Sequence, residues 1–351
     1  MPVVVERAIV KRLVGLPPGL LRRFAGPPRR SPEGYVLDTQ VQALLRLMVM
    51  NGQSTVFDGD IAKARHRMDR DGALLDVRDR SLAVRDVTVQ GAVGPRRARV
   101  YTPAGAGRNA PGLVFFHGGG FVLGSIESHD GVCRGLAAHS GVVVVSVDYR
   151  LAPEHPFPAP TDDATAATRW ILENAASLGV DDQALAVGGD SAGGALAIAA
   201  ARALRGSAKR PAFQLLLYPA TDATRREASH KHFREGFMLT ERSIDWIIGN
   251  YLPDPSTHTD PRASPLLADD LSGMPPGLVL TAGFDPLRDE GRKFAERLRA
   301  AGAAVEHVCS ESSIHGFMNM AGVMDEPARL AALAADRLRR ALSRGATASV
   351  A

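Results

Sequence analysis

Cysteine is scarce in this sequence: the 351-residue chain has two, Cys133 and Cys309. Two cysteines so far apart supply neither a disulfide framework nor the closely spaced ligands of a metal site. We therefore expect a fold held together by its hydrophobic core, with no metal centre. Two buried thiols are typical of a reducing compartment, so the predicted location is cytoplasmic.

Long hydrophobic runs are also missing, because no apolar stretch reaches the ~18 residues of a membrane-spanning helix. Residues 3–21 are apolar, but four charged residues and a pair of prolines interrupt them. This segment lacks the hydrophobic region and cleavage site of a signal peptide. We expect no stable membrane insertion and favour a helix docked on the protein body. A basic amphipathic segment in peripheral contact with a membrane is the alternative.

The charge balance excludes a third class of protein. The chain has 42 Lys and Arg against 38 Asp and Glu, and its net charge is +4. No basic run is interleaved with aromatics, so we expect no nucleic-acid partner. At 45% hydrophobic and 23% charged residues, the composition is that of a globular protein with one large core and a smaller accessory part.

Strand-like and helix-like segments alternate along most of the chain, which predicts an α/β fold with a mostly parallel central sheet and helices on both faces. The predicted strands are 86–90, 98–102, 113–116, 142–145, 184–187, 213–218, 278–281 and 304–308. The predicted helices are 129–140, 161–178, 192–204, 292–301 and 327–342, with Thr161 or Asp162 as the N-cap of the second. Residues 1–80 and 221–260 break this rhythm, and their predicted helices are 41–50 and 240–251.

Ser191 lies in the motif Gly189-Asp190-Ser191-Ala192-Gly193, between a predicted strand and a predicted helix. In that position G-x-S-x-G forms a sharp turn that lifts the serine oxygen above the sheet. The helix N-terminus that follows favours a developing negative charge. A glycine-rich turn with an incidental serine is the alternative, and the rest of the chain decides between the two.

A second glycine-rich motif, His117-Gly118-Gly119-Gly120, follows another predicted strand. Glycines leave backbone N–H groups accessible because no Cβ blocks the approach. Together with the Ala192 N–H, these groups are candidates for a three-donor oxyanion hole. We expect His117 to fix the loop rather than to act as a base.

A serine nucleophile needs a histidine base, which a carboxylate orients. Asp285 follows the predicted strand 278–281, and His315 follows the strand 304–308. The order Ser191, Asp285, His315 is the order of α/β-hydrolases. The pattern predicts these three residues as the catalytic triad.

Other acids and histidines compete for these roles. Asp289 and Glu290 are rival acids, but carboxylates at the start of a helix suit the helix dipole. His307 lies in a predicted strand and is the weaker candidate for the base. Three more histidines in the inserted segment are expected on the surface: His230, His232 and His258.

Five motifs in this order resemble those of the hormone-sensitive-lipase-like (family IV) carboxylesterases, and GDSAG indicates their GDSAG subgroup. The motifs are HGGGF at 117–121, DYRLAPEHPFPA at 148–159, GDSAGG at 189–194, DPLRDEG at 285–291 and HGF at 315–317. The resemblance extends over about residues 85–345. It implies an α/β-hydrolase fold with Gly118, Gly119 and Ala192 as oxyanion donors.

The resemblance also implies a helical cap. The predicted domains are the N-terminal part of the cap (1–80), the first part of the core (81–220), an inserted cap segment (221–260) and the second part of the core (261–351). The residues predicted to line an acyl pocket are Phe237, Met238, Leu239 and Leu287, together with Trp246 and Tyr251. Core packing explains these side chains equally well.

The sequence therefore predicts a serine carboxylesterase for short- to medium-chain esters that needs no cofactor. An amidase, lactonase or deacetylase with the same site is one alternative. A non-catalytic receptor of this fold is another, but the plant gibberellin receptors, which the carboxylesterase family resembles, lack the histidine present here as His315.

The strand 304–308 is the last in the chain, which predicts an edge position in the sheet. A sheet edge with few charges invites pairing with another chain. We expect a homodimer through this strand, assisted by the helix 327–342. A solvated edge covered only by that helix is the alternative.

Overall fold

The central sheet has eight strands in this computed structural model, which describes residues 3–52, 59–75, 77, 79 and 81–347. The predicted domain limits at residues 1, 80 and 351 lie outside this part of the chain. The strands are β1 (Ala83–Gln90), β2 (Pro95–Thr102), β3 (Ala110–Phe116), β4 (Val143–Val147), β5 (Val180–Asp190), β6 (Phe213–Leu217), β7 (Gly277–Phe284) and β8 (Val305–Ile314).

Helices connect and flank these strands. They are α1 (Val3–Val14), α2 (Pro18–Ala25), α3 (Thr39–Met50), α4 (Ile61–Leu75), α5 (Asp130–Ser140), α6 (Ala159–Glu173), α7 (Ala175–Leu178), α8 (Ala192–Leu204), α9 (Ala228–His232), α10 (Glu241–Tyr251), α11 (Arg288–Ala300) and α12 (Asp325–Thr347). In the part of the chain that the structure describes, no helix is both long enough and apolar enough to cross a bilayer.

The strand order is β1-β2-β4-β3-β5-β6-β7-β8. β2 pairs antiparallel with β1 and β4, and all other neighbours are parallel. The prediction of a mostly parallel sheet is confirmed, and β8 lies at an edge as expected. Parallel strands bring their carboxyl ends to one side of the sheet, where the loops that follow β3, β5, β7 and β8 meet.

Helices cover both faces of the sheet, as the sequence predicts. Successive side chains of a strand point to opposite faces. In β3, Val114 and Phe116 join the core beneath α6, α8 and α11, whereas Leu113 and Phe115 join the core beneath α5 and α12. Residues 113–116 are all hydrophobic because this part of β3 is buried on both faces.

One predicted helix is divided in two, and the others differ from their predicted bounds mainly at their ends; α11, for example, begins at Arg288 and not at residue 292. The segment predicted as 161–178 is two helices, because α6 ends at Glu173 and α7 begins at Ala175. The N-cap of α6 is Pro158, so the prediction of Thr161 or Asp162 as N-cap is wrong. Pro160, the second residue of α6, fits the first turn because the N–H that it lacks has no intrahelical partner there.

The four N-terminal helices pack together beside the sheet's carboxyl edge. Glu6 of α1 forms an ion pair with Arg70 of α4, and the Arg7 guanidinium donates to the Leu74 carbonyl over 2.8 Å. α3 begins at a capped end, since the Asp38 carboxylate accepts the N–H groups of Gln40 and Val41.

Candidate active site

Ser191 occupies the turn between β5 and α8. Its backbone has φ +54° and ψ −120°, which is a strained conformation for any residue but glycine. This turn passes so close to the end of β3 that two of its residues must be glycine. A Cβ on Gly189 would lie 2.4 Å from the backbone of Gly193, and a Cβ on Gly193 would lie 1.9 Å from the Phe116 carbonyl oxygen.

A continuous line of hydrogen bonds connects Ser191, His315 and Asp285. The Nε2 atom of His315 lies 2.9 Å from the Ser191 Oγ, and Nδ1 lies 2.8 Å from the Asp285 Oδ2. Asp285 is fully buried, and its other oxygen accepts the Leu287 N–H over 2.8 Å. The structure therefore brings together the three residues predicted as nucleophile, base and acid.

The rival acids have other partners. Asp289 accepts the Ser229 N–H over 3.0 Å and pairs with Arg288. Glu290 is buried and lies 2.8 Å from the Nε2 of His230. Neither carboxylate contacts His315. His307, the rival base, lies 3.0 Å from the Thr281 hydroxyl.

His230 departs from the prediction of a surface position, because only 9% of it is exposed. Burial lowers the pKa of His230, but the hydrogen bond and charge of Glu290 outweigh burial and raise it. The inserted segment folds onto the start of α11, and sequence position alone gave no sign of this packing. His232 is exposed, and His258 is half-buried.

The structure contradicts the prediction that the Gly118 N–H is an oxyanion donor. Its N–H donates to the Asp190 Oδ1 over 2.8 Å, so it is directed at a buried carboxylate. Gly118 does not line the cavity at Ser191, whereas Gly119 and Gly120 do. Three consecutive glycines look alike in a sequence, and only the neighbouring Asp190 shows which N–H is occupied.

The carbonyl partners in the loop explain the orientation of Gly119 and Gly120. The Gly118 oxygen lies 2.8 Å from the His117 Nδ1, and the Gly119 oxygen accepts the Leu123 N–H over 2.9 Å. In a planar trans peptide, the following N–H points away from the carbonyl. The N–H groups of Gly119 and Gly120 therefore point away from these partners, and no acceptor for them exists among the described residues.

His117 is suited to hold this loop. Burial lowers its pKa to about 3, and the nearby His129 acts in the same direction. The imidazole is therefore neutral near pH 7, and its Nδ1–H is available to the Gly118 carbonyl. This position fits the expected loop-fixing role and leaves His117 without a contact to Ser191.

A cavity of about 430 Å³ opens at Ser191 and His315. Most of its apolar lining comes from the N-terminal helices and the inserted segment, and Met320 adds a side chain from the segment after β8. The lining residues include Val10, Leu44, Leu47, Met48, Met68, Leu75, Met238, Leu239, Ile247 and Met320. Within the described ranges, no group of three His, Cys, Asp or Glu side chains could hold a metal ion.

The predicted pocket residues divide into two groups. Met238 and Leu239 line the cavity. Phe237 packs against Phe233 and Phe284 in a buried cluster, and Leu287 packs with Leu239 in another. The other two predicted residues also pack in the core: Tyr251 is stacked on Phe121, and Trp246 is partly buried.

Sequence reasoning missed most of the lining from α1, α3 and α4. Leu44, Leu47 and Met48 have helical spacing, which signals an apolar face but not whether that face meets a core or a cavity.

The site combines a serine hydroxyl hydrogen-bonded to an imidazole, a buried carboxylate on the other side of that ring, and two N–H groups with no acceptor among the described residues, at the end of an apolar cavity. This arrangement suits acyl transfer, because a tetrahedral intermediate needs each of these groups.

Proteins that are similar to this chain include ester hydrolases. A family model for the alpha/beta hydrolase fold matches residues 113–319. The carboxylic ester hydrolase LipN of Mycobacterium tuberculosis is 43% identical over 298 residues, 82% of this chain and 78% of that protein. The ethyl acetate hydrolase of Pseudomonas putida is 42% identical over 216 residues, 61% of this chain and 68% of that protein.

A solved structure resembles most of the chain. An ester hydrolase from the metagenome of Lake Arreo, complexed with a derivative of bipyridine phosphonate, superposes with a TM-score of 0.84 and 42% identity. The match covers 88% of this chain and 99% of that protein.

Proposed function

The chain belongs to the hormone-sensitive-lipase-like family of α/β-hydrolases and is a carboxylic ester hydrolase, and we propose that Ser191, His315 and Asp285 are its catalytic triad. The observation that carries the proposal is the unbroken Ser–His–Asp line, with contacts of 2.9 and 2.8 Å. Ser191→Ala and His315→Ala should each lower kcat by roughly 10⁴–10⁶-fold. Either variant with near-normal kcat and an intact fold would refute this assignment.

The reaction has two halves. The Ser191 oxygen attacks the ester carbonyl carbon while His315 takes its proton, and His315 then returns that proton to the departing alcohol. The acyl-enzyme is hydrolysed by a water molecule that the same imidazole activates. Asp285 orients the ring and stabilises its charged form.

We propose that the oxyanion is held by the N–H groups of Gly119, Gly120 and Ala192. The proposal keeps two of the expected donors and replaces Gly118 with Gly120. Its support is the occupied N–H of Gly118 and the orientation of the other two glycines. Ala192 contributes because it is the first residue of α8, where N–H groups have no intrahelical acceptor.

We propose esters with short to medium acyl chains as substrates, because the cavity is apolar and holds about 430 Å³. A panel of nitrophenyl esters from acetate to palmitate tests this, and kcat/KM should peak well before palmitate. A maximum at palmitate would contradict the proposal. Matched nitroanilides and lactones distinguish the amidase and lactonase alternatives, and a chain that turns over none of these compounds fits the receptor alternative.

The cap is proposed to consist of residues 1–80 and 221–260. Its support is that α1, α3, α4 and three residues of the inserted segment, Met238, Leu239 and Ile247, all contribute to the cavity that contains Ser191. Removing α1 and α2 should therefore open the cavity to solvent and change the ranking of acyl chains in the same panel.

We also propose a homodimer through β8 and α12, supported by the edge position of β8. Light scattering should give twice the 37.3 kDa of one chain. A monodisperse species of single-chain mass would refute the dimer, and a dimer that survives Val305→Pro would place the interface elsewhere.

A cytoplasmic location remains our proposal, with peripheral membrane contact through α1 as its variant. Burial of Cys133 supports the first, and exposed Val4, Val5, Lys11 and Arg12 support the second. Cell fractionation with a high-salt wash separates them, because salt releases a protein held by charge.

A further inference from the structure

One face of helix α4 lies along the glycine loop, residues 117–129. Three of its residues, Arg65, Asp69 and Gly72, meet this loop. Arg65 and Asp69 are four residues apart and Asp69 and Gly72 are three residues apart, so all three lie on the same side of the helix. α4 (Ile61–Leu75) belongs to the N-terminal region, outside the five sequence motifs. These contacts therefore connect the N-terminal region with the glycine loop of the core.

Arg65 joins two loops at once. Its Nε donates to the Val122 carbonyl over 2.9 Å, and one terminal nitrogen donates to the Ala152 carbonyl over 2.9 Å. The same guanidinium pairs with Glu154 over 2.7 Å. The planar fork of arginine makes these contacts simultaneously, which the single ammonium of lysine cannot reproduce.

Two further contacts fix the rest of the loop. The Asp69 Oδ1 accepts the Ser125 hydroxyl proton over 2.5 Å. At Gly72 the helix backbone approaches so closely that a Cβ would lie 2.4 Å from the Ser128 carbonyl oxygen. α4 therefore contacts the loop at Val122, Ser125 and Ser128.

Val122 is the residue through which this contact reaches the oxyanion hole. The N–H groups of Val122 and Leu123 donate to the Gly119 carbonyl over 3.3 and 2.9 Å, which closes a turn from Gly119 to Leu123. The direction of the Gly119 carbonyl sets the direction of the Gly120 N–H, because both belong to one planar peptide. Arg65 holds the far end of this turn.

We propose that Arg65 is a positioning residue for the oxyanion hole, and that Asp69 and Gly72 complete a clamp of α4 on the glycine loop. The inference rests on the proposed roles of Gly119 and Gly120. Oxyanion donors bind the transition state and not the ground-state ester, so loosening the turn lowers kcat and leaves KM nearly unchanged.

The test compares Arg65→Met and Arg65→Lys with Glu154→Gln. Both Arg65 variants should lower kcat by about tenfold or more, within the ~10²–10³-fold limit for loss of a whole oxyanion donor. KM should stay within about threefold. Glu154→Gln removes the charge of the ion pair but leaves the two carbonyl contacts, and it should keep kcat within about twofold because the pair is largely exposed.

A boronic acid inhibitor separates positioning from general damage. Its boron adds to the serine oxygen and forms a tetrahedral anion that needs the oxyanion donors, so its Ki should rise by the same factor as kcat falls. The Ki of a competitive product alcohol should not change. If an Arg65 variant fails to fold, Gly72→Ala supplies a second test, since its Cβ would lie 2.4 Å from the Ser128 carbonyl oxygen. Because Gly72 also lines the cavity, this variant is compared by its boronate Ki relative to its product-alcohol Ki.

Unchanged kcat and boronate Ki in the Arg65 variants would overturn the clamp. Equal losses in Glu154→Gln would also overturn it, because the ion pair and not the carbonyl contacts would then be responsible. Failure of the proposed function has a different signature, in which the wild-type protein does not bind the boronate or Ser191→Ala retains activity.

Discussion

Replacement of Gly119 by alanine tests the geometry of the oxyanion hole. Gly119 has φ +117°, and a Cβ there would lie 2.3 Å from the Leu123 carbonyl oxygen. Real Cβ atoms stay at least 3.0 Å from such a neighbour, so the turn must open by about 0.7 Å. Misplacing a catalytic group by about 1 Å costs roughly 10²-fold, and losing a donor costs 10²–10³-fold, or about 2.7–4 kcal/mol.

The variant should therefore lose about 10²–10³-fold in kcat on nitrophenyl butyrate, with KM changed by less than about threefold. Gly141→Ala is the matched control. Gly141 also has a positive φ, +72°, but a Cβ there would meet nothing within 4 Å, and it caps α5 away from the site. It should lose about 1–2 kcal/mol of unfolding free energy and keep its kcat. Unchanged kcat in Gly119→Ala, or an equal loss in Gly141→Ala, would refute the assignment of Gly119 as an oxyanion donor.

Three further predictions follow from the same structure. Asp285→Asn should lower kcat by about 10⁴-fold, because the amide stabilises the wrong tautomer of His315, while Asp289→Asn should stay close to wild type; the reverse result would reassign the acid. Leu47→Trp should fill part of the cavity and reduce kcat/KM for hexanoate at least tenfold more than for acetate, and equal effects on both esters would place the acyl group elsewhere. Arg288 holds the pKa of Glu33 at about 2, below its usual 4.5, so this carboxylate contributes stability above pH 4.5 that is lost as the pH falls through about 2. The difference in Tm between wild type and Glu33→Gln should shrink over that interval, and a difference independent of pH would contradict the prediction.

The sheet and the triad could be predicted because their signals are local and ordered. The G-x-S-x-G turn at Ser191 alone leaves two interpretations, and the chain order Ser–Asp–His decides between them. The positions of Asp285 and His315 in loops after predicted strands then favour them over Asp289 and His307. The expected edge position of β8 followed from the same order. Each of these depends on short motifs whose backbone conformation admits few alternatives.

The oxyanion donors and the pocket could not be predicted as well, for two physical reasons. Gly118, Gly119 and Gly120 differ only in what their N–H groups meet, which depends on Asp190 across the turn. The lining from α3 and α4 depends on how helices dock, and an apolar helix face looks the same whether it covers a core or a cavity. Phe237, which its place in the inserted segment predicts for the pocket, packs instead against Phe233 and Phe284.

We propose that Ser191, activated by His315, forms an acyl-enzyme. The most direct measurement is mass spectrometry of the intact protein after treatment with a nitrophenyl alkylphosphonate, followed by peptide mapping. If Ser191 is the nucleophile, we expect one phosphonyl group per chain on Ser191, release of one nitrophenol, complete loss of esterase activity, and no labelling of Ser191→Ala. Labelling at another residue, or full activity of a chain labelled at Ser191, would contradict it.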